Sequence, residues 1–260
     1  MEDQRLRVAV HKFSSCDGCQ LAFLNLGEDL LTLSQRLNIV FFAEAGMMNE
    51  NTDVDIAFVE GSISTAKDAQ RIRNIREHSR YLVTIGACAT AGGLQALRNL
   101  ADTQDWIQAI YTDPQHIDTL DKVSPIAEHV AVDFELWGCP INKRQLMGLI
   151  NNVSLGVFPF EETDKLCMEC KRQQQTCIMV TKDLPCLGPL TRTGCGALCP
   201  SFGRDCYGCY GPAENINTES LTRHFSGIGL LPQQISQRLL ATYSQDKALG
   251  ESGLEWKTKT

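Results

Sequence analysis

The chain contains no run of about 20 apolar residues, the length that a bilayer-spanning helix needs, so no membrane span is expected. Its first residues, MEDQRLRVAVHKF, lack the apolar core and small-residue cleavage site of a secretory signal, and they hold no twin-arginine pair. A cytoplasmic location is the expectation. Basic clusters are missing as well: no run is longer than a pair such as Lys171-Arg172, and the formal charge is −7. With a pI near 5.3, nucleic acid is not an expected partner. There is no repeat at a solenoid period and no low-complexity segment. What remains is an ordinary globular composition, 43% hydrophobic over 260 residues, enough for one full core and a smaller appendage.

Against these absences stands an excess of cysteine. The twelve fall into three sets of four: Cys16, Cys19, Cys88 and Cys139; then Cys167, Cys170, Cys177 and Cys186; then Cys195, Cys199, Cys206 and Cys209. None is left over. In a reducing compartment such a count points to metal ligation rather than disulfides. Four thiolates are what a cubane iron–sulfur cluster requires. Three such sets make the chain a conductor of electrons.

The first part alternates strand-like and helix-like segments. Strands are expected at residues 5–13, 38–45, 54–60, 81–86 and 129–137. Helices are expected at 19–33, at 65–79 with Ser64 or Thr65 as N-cap, at 89–99 and at 142–152. Residues 101–128 read as an irregular surface excursion. This alternation specifies α/β architecture, and a flavodoxin-like, doubly wound parallel sheet is the favoured topology. The pattern changes near Phe158-Pro159. The expected domains are therefore 1–158, the sheet, and 159–260, an irregular cluster-binding domain with C-terminal helices at 218–225 and 232–244. Residues 161–215 hold eight cysteines and little periodicity. Such a segment depends on metal for its cohesion.

Cys16 and Cys19 follow the first strand, Cys88 the fourth and Cys139 the fifth. Doubly wound sheets bind ligands just outside the carboxyl ends of their strands, so four residues remote in sequence meet at one edge. Glu60 closes the third strand on that edge, as a proton-route residue or a carboxylate supporting the ligands. Gly18, Gly86 and Gly138 allow close backbone approach. In the second half the spacing is C-x2-C-x6-C-x8-C, then C-x3-C-x6-C-x2-C. Two CxxC pairs fit zinc or iron–sulfur. They are farther apart than in a zinc ribbon, and the bacterial ferredoxin run is absent. His11, His78, His116, His129 and His224 show no ligand spacing and read as surface or satisfied residues.

The motifs SSCDGCQ at 14–20, VEGSIST at 59–65, TIGACATAGG at 84–93 and LWGCP at 136–140 carry a family resemblance. So do CMECKR at 167–172, PCLGPLTRTGCGALCP at 185–200 and CYGCYGP at 206–212. Over about residues 10–215 the chain resembles the small, electron-transfer subunit of cytoplasmic [NiFe] hydrogenases, of the sulfhydrogenase or NAD(P)-linked type. The resemblance implies three [4Fe-4S] clusters: proximal on Cys16, Cys19, Cys88 and Cys139, medial on Cys195, Cys199, Cys206 and Cys209, distal on Cys167, Cys170, Cys177 and Cys186. It implies a hydrogenase large subunit holding the nickel–iron centre, and flavin/iron–sulfur diaphorase subunits holding FAD and NAD(P). No catalytic residue is then expected in this chain itself. Cys167 stands where many relatives have histidine, and Cys199 where some have proline, which favours three all-thiolate cubanes. Ser15 stands where many have glutamate. The rival functions are a structural zinc scaffold and the cluster subunit of another redox complex, such as a quinone-linked one. Those quinone-linked relatives show adjacent cysteines where this chain has CDGC.

Overall fold

A computed structural model describes residues 5–48, 52–157 and 159–259. The chain divides into two compact units, Met1–Pro159 and Phe160–Thr260. Phe158, at the expected change of pattern, lies outside the described residues.

In the first unit β1 (Leu6–Lys12) leads to α1 (Gly18–Leu24), α2 (Glu28–Ser34) and β2 (Leu37–Phe42). A two-residue edge strand β3 (Met47–Met48), β4 (Val54–Glu60), α3 (Ala66–Glu77) and β5 (Ser79–Ile85) follow. Next come α4 (Gly86–Ala91), a 3₁₀ segment Gly93–Leu100, α5 (Thr103–Ile110), β6 (Phe134–Leu136) and α6 (Lys143–Ser154). The sheet order is β3-β2-β1-β4-β5-β6. Only β3 runs antiparallel. The five parallel strands have the flavodoxin-like order, with the chain reversing direction across the sheet between β1 and β4.

Both faces of the sheet are covered, which explains why its strands read as nearly continuous apolar runs. Val8, Val10, Ile56, Phe58, Val83 and Ile85 pack with Phe23, Leu146 and Ile150 on one side. Ala9, Ala57, Val59 and Leu82 pack with Ile72 and Ile75 on the other.

Five expectations change. The helix read at 89–99 is α4 and the 3₁₀ segment Gly93–Leu100, broken where Gly92 adopts φ +80°. The helix read at 19–33 is two helices, because Gly27 adopts φ +61° between them. The strand read at 129–137 shortens to Phe134–Leu136. Asp133 is the reason: its carboxylate accepts the Leu82 N–H at 2.7 Å and pairs with Arg76 at 2.5 Å. A side chain there takes the place of a ladder carbonyl. The excursion at 101–128 contains α5, capped by Asp102, which accepts from the N–H groups of Gln104 and Asp105. His11 is neither exposed nor fully satisfied. It is buried, stacked on Phe41 at 4.7 Å, and its Nδ1 has no hydrogen-bond partner.

The second unit begins with α7 (Leu166–Arg172), α8 (Ile178–Thr181) and α9 (Leu198–Ser201), joined by loops. Extended segments knit these loops: Leu166 N–H donates to Thr191 O, Thr193 N–H to Asp164 O, and Arg192 N–H to Gly211 O. Then come α10 (Thr218–Gly227), α11 (Pro232–Tyr243) and α12 (Lys247–Thr258). The last of these lies beyond the expected helices. These helices complete a core that the cysteine-rich loops lack. Leu239, Tyr243 and Leu249 close a small cavity against Leu187 and Leu190. Arg238 binds the Asp205 carboxylate at 2.5 Å and Pro185 O at 3.0 Å, and the Tyr243 hydroxyl donates to Cys209 O at 3.0 Å. Among the described residues no helix is long and apolar enough to cross a membrane.

Candidate metal centres

The parallel register decides the first site. Lys12 is opposite Glu60, Glu60 opposite Ile85, and Ile85 opposite Leu136. Four strands thus end in one row, and the segments bearing Cys16 and Cys19, Cys88, and Cys139 all start from it. All twelve cysteines are free thiols. Burial pushes the thiols of Cys19, Cys88 and Cys139 up, Cys88 to about 12. Charge at neighbouring thiols adds to it: Cys19 senses Cys88 and Cys139, Cys88 senses Cys139 and Cys16, and Cys139 senses Cys16. Each of these four thiols is thus within electrostatic reach of at least two of the others.

Its surroundings are shaped for sulfur. A Cβ on Gly86 would stand 2.3 Å from Cys19 Sγ, and Gly86 holds φ +85°, a conformation that side-chain-bearing residues resist. Backbone N–H groups of Ile141 and Leu94 donate to the thiols of Cys19 and Cys88. Glu60 is 2% exposed. Its two oxygens accept the N–H groups of Cys19 at 3.0 Å and Gln20 at 3.2 Å. Asp17, the N-cap of α1, makes no side-chain cap. Glu60 supplies that function from another strand, so it supports the segment carrying Cys19. Burial raises its carboxyl above the ordinary range, opposed by these hydrogen bonds.

In the second unit Cys170 is raised to about 11, first by burial and then by the charges of Cys167, Cys186, Cys195 and Cys177. Cys167 senses Cys186 and Cys177. Cys167 and Cys170 are thus both within electrostatic reach of Cys177 and Cys186. Of the last set, Cys195 senses Cys199, and Cys206 senses Cys209 after Cys186. These form two pairs. The sets adjoin: Cys206 N–H donates to Cys186 Sγ at 3.2 Å. Arg192 is engaged with Glu161 at 2.7 Å and Arg172 with Asp164 at 3.3 Å, whereas the Lys171 charge acts on the Cys167 thiol.

Glu169 was not singled out by its sequence context. It is 6% exposed, and its carboxylate accepts N–H groups of Gly194, Gly196 and Ala197. A carboxylate inside a CxxC pair is ordinary in sequence. The glycines flanking Cys195 were the available signal.

Among the described residues no three His, Cys, Asp or Glu side chains are gathered as a single ion would require, zinc–sulfur bonds being about 2.3 Å. The donor set fits an iron–sulfur cluster on chemistry: four thiols per set, the buried Cys19, Cys88 and Cys186 among them raised in pKa by burial, and N–H groups aimed at sulfur, as those of Cys206 and Gly208 are at Cys186 and Cys206.

The family model for the NADH ubiquinone oxidoreductase 20 kDa subunit matches residues 16–153. The chain belongs to this family. Within it the chain is of the hydrogenase small-subunit type. It is 31% identical over 240 residues to sulfhydrogenase 2 subunit delta of Pyrococcus furiosus, spanning 92% of this chain and 100% of the relative. It is 29% identical over 167 residues to the NAD-reducing hydrogenase HoxS subunit delta of Cupriavidus necator, over 58% of this chain and 80% of that one. Among solved structures, an NAD+-reducing [NiFe]-hydrogenase in the H2-reduced state matches with TM-score 0.56 and 27% identity, over 60% of this chain and 95% of that chain. The family model reaches only the first unit, while the likeness to the Pyrococcus subunit extends over both.

Proposed function

We propose that this chain is the electron-transfer subunit of a cytoplasmic [NiFe] hydrogenase, relaying electrons between the nickel–iron site of a large subunit and a flavin/NAD(P)-reducing module. One [4Fe-4S] cluster is held by Cys16, Cys19, Cys88 and Cys139. A second is held by Cys195, Cys199, Cys206 and Cys209, and a third by Cys167, Cys170, Cys177 and Cys186. Bound clusters supply one-electron redox chemistry. The chain's own residues ligate, orient and tune. Glu60 fixes the turn of Cys19, Gly86 keeps side-chain volume away from its sulfur, and the N–H groups of Ile141 and Leu94 stabilise thiolate charge.

The observation that supports this reading is the row Lys12, Glu60, Ile85, Leu136, beyond which the segments bearing Cys16 and Cys19, Cys88, and Cys139 begin. Its support for hydrogenase rather than a quinone-linked complex is the likeness of both units to a hydrogenase subunit, together with the CDGC spacing at residues 16–19. A nickel–iron partner and an NAD-linked acceptor module are supported by the likeness of 60% of this chain to a chain of an NAD+-reducing [NiFe]-hydrogenase.

The test is iron, zinc and acid-labile sulfide per chain on anaerobically purified protein. About twelve iron and twelve sulfide are expected. Zinc without sulfide would replace the electron relay with a scaffold.

A further inference from the structure

Glu169 has a position that the cysteine pattern does not require. It lies on α7 between Cys167 and Cys170, yet its carboxylate is engaged with another loop: Gly194 N–H at 3.3 Å, Gly196 at 3.1 Å and Ala197 at 3.3 Å. Those three amides surround Cys195, whose thiol itself accepts the N–H groups of Leu198 and Ala197. A carboxylate this buried is costly unless its oxygens are hydrogen-bonded. Successive amides converging on it form an anion-holding concavity. One further contact marks the same junction: Cys206 N–H donates to Cys186 Sγ at 3.2 Å.

Building on the cluster reading above, we propose that Glu169 is a positioning residue shared by the two four-cysteine sets of this unit. It fixes the loop bearing Cys195 against the helix bearing Cys167 and Cys170, and its negative charge lowers the reduction potential of the cluster held through Cys195. The charge acts in that direction because adding an electron near a carboxylate is unfavourable, and cluster potentials follow local charge and hydrogen bonding.

Glu169→Gln keeps the length and removes the charge; Glu169→Asp keeps the charge and shortens the arm. Both are made in the full chain, purified anaerobically with its co-purifying subunits. Iron and sulfide are counted, and the cluster signals are titrated by electron paramagnetic resonance against potential. With Gln, one cluster signal is expected to move to higher potential by about tenfold in its reduction equilibrium, 59 mV for one electron, while the others hold. With Asp, that signal stays near the wild-type potential. Loss of about four iron in the Gln variant alone also supports the proposal. Unchanged potentials at full iron, equal shifts in Gln and Asp, or uniform loss of all iron would overturn it. Wild-type protein without iron and sulfide would instead defeat the cluster reading itself.

Discussion

The backbone N–H of Cys19 donates to the carboxylate of Glu60 at 3.0 Å, across 41 residues of sequence. A strand end thereby caps a helix that its own N-cap residue leaves uncapped, and the helix so capped presents a thiol to the sheet edge. Glu60→Ala removes the acceptor for two buried N–H groups. The expected loss is about 1–3 kcal/mol of stability, with iron falling from about twelve to about eight per chain. Thermal melting and iron analysis check this. Unchanged values in both would mean that α1 holds Cys19 unaided.

Gly86→Ala should cost the same cluster by a different cause. The new Cβ would stand 2.3 Å from Cys19 Sγ, on backbone already at φ +85°. Gly27→Ala is the control, since its φ is +61° but nothing lies within 4 Å of its Cβ position. Only the Gly86 variant should lose one cluster signal while two persist. If both variants kept all signals, crowding at Cys19 would be irrelevant to loading.

Cys170→Ser separates relay from chemistry. Hydrogen–deuterium exchange at the large subunit's site should persist, while hydrogen-dependent reduction of an external acceptor falls by an order of magnitude or more. Both activities are read on one preparation. Parallel loss of the two would contradict a cluster on the acceptor side at Cys167, Cys170, Cys177 and Cys186.

His11 predicts a pH dependence of stability. Burial, and then the Arg71 charge, lower it to about 3. Its folded value lies below its unfolded value of about 6.5, so protons favour the unfolded chain. Its contribution is fully present above about pH 6.5 and is lost as pH falls toward 3, at about 1.4 kcal/mol per pH unit. Replacing it by leucine should flatten the denaturation midpoint between pH 6 and 4.5 relative to wild type. Identical slopes in the two proteins would show that His11 does not supply this term.

Much of the first unit was legible because parallel strands buried on both faces must be apolar throughout, as VDIAFVE at residues 54–60 is. The N-cap at Thr65 was equally visible, and its side chain does accept the Asp68 N–H at 3.1 Å. Shortening of the strand before Leu136 was not, since it depends on Asp133 reaching a backbone amide of another strand, Leu82. The role of α11 was hidden for a similar reason. Its stripe of Ile235, Leu239 and Leu240 reads as packing, but only Arg238 on Asp205 and Tyr243 on Cys209 reveal what it packs against.

The sequence by itself determined the number of thiols, their grouping and the alternation that makes a parallel sheet, because residue type and spacing are written in the chain. Tertiary structure alone decided that Lys12, Glu60, Ile85 and Leu136 end in one row, and that Glu60 and Glu169 serve cysteine-bearing turns. Register and the pairing of a carboxylate with a distant backbone amide are properties of space. Every residue but proline offers the same N–H, and only the fold selects which one a buried carboxylate meets.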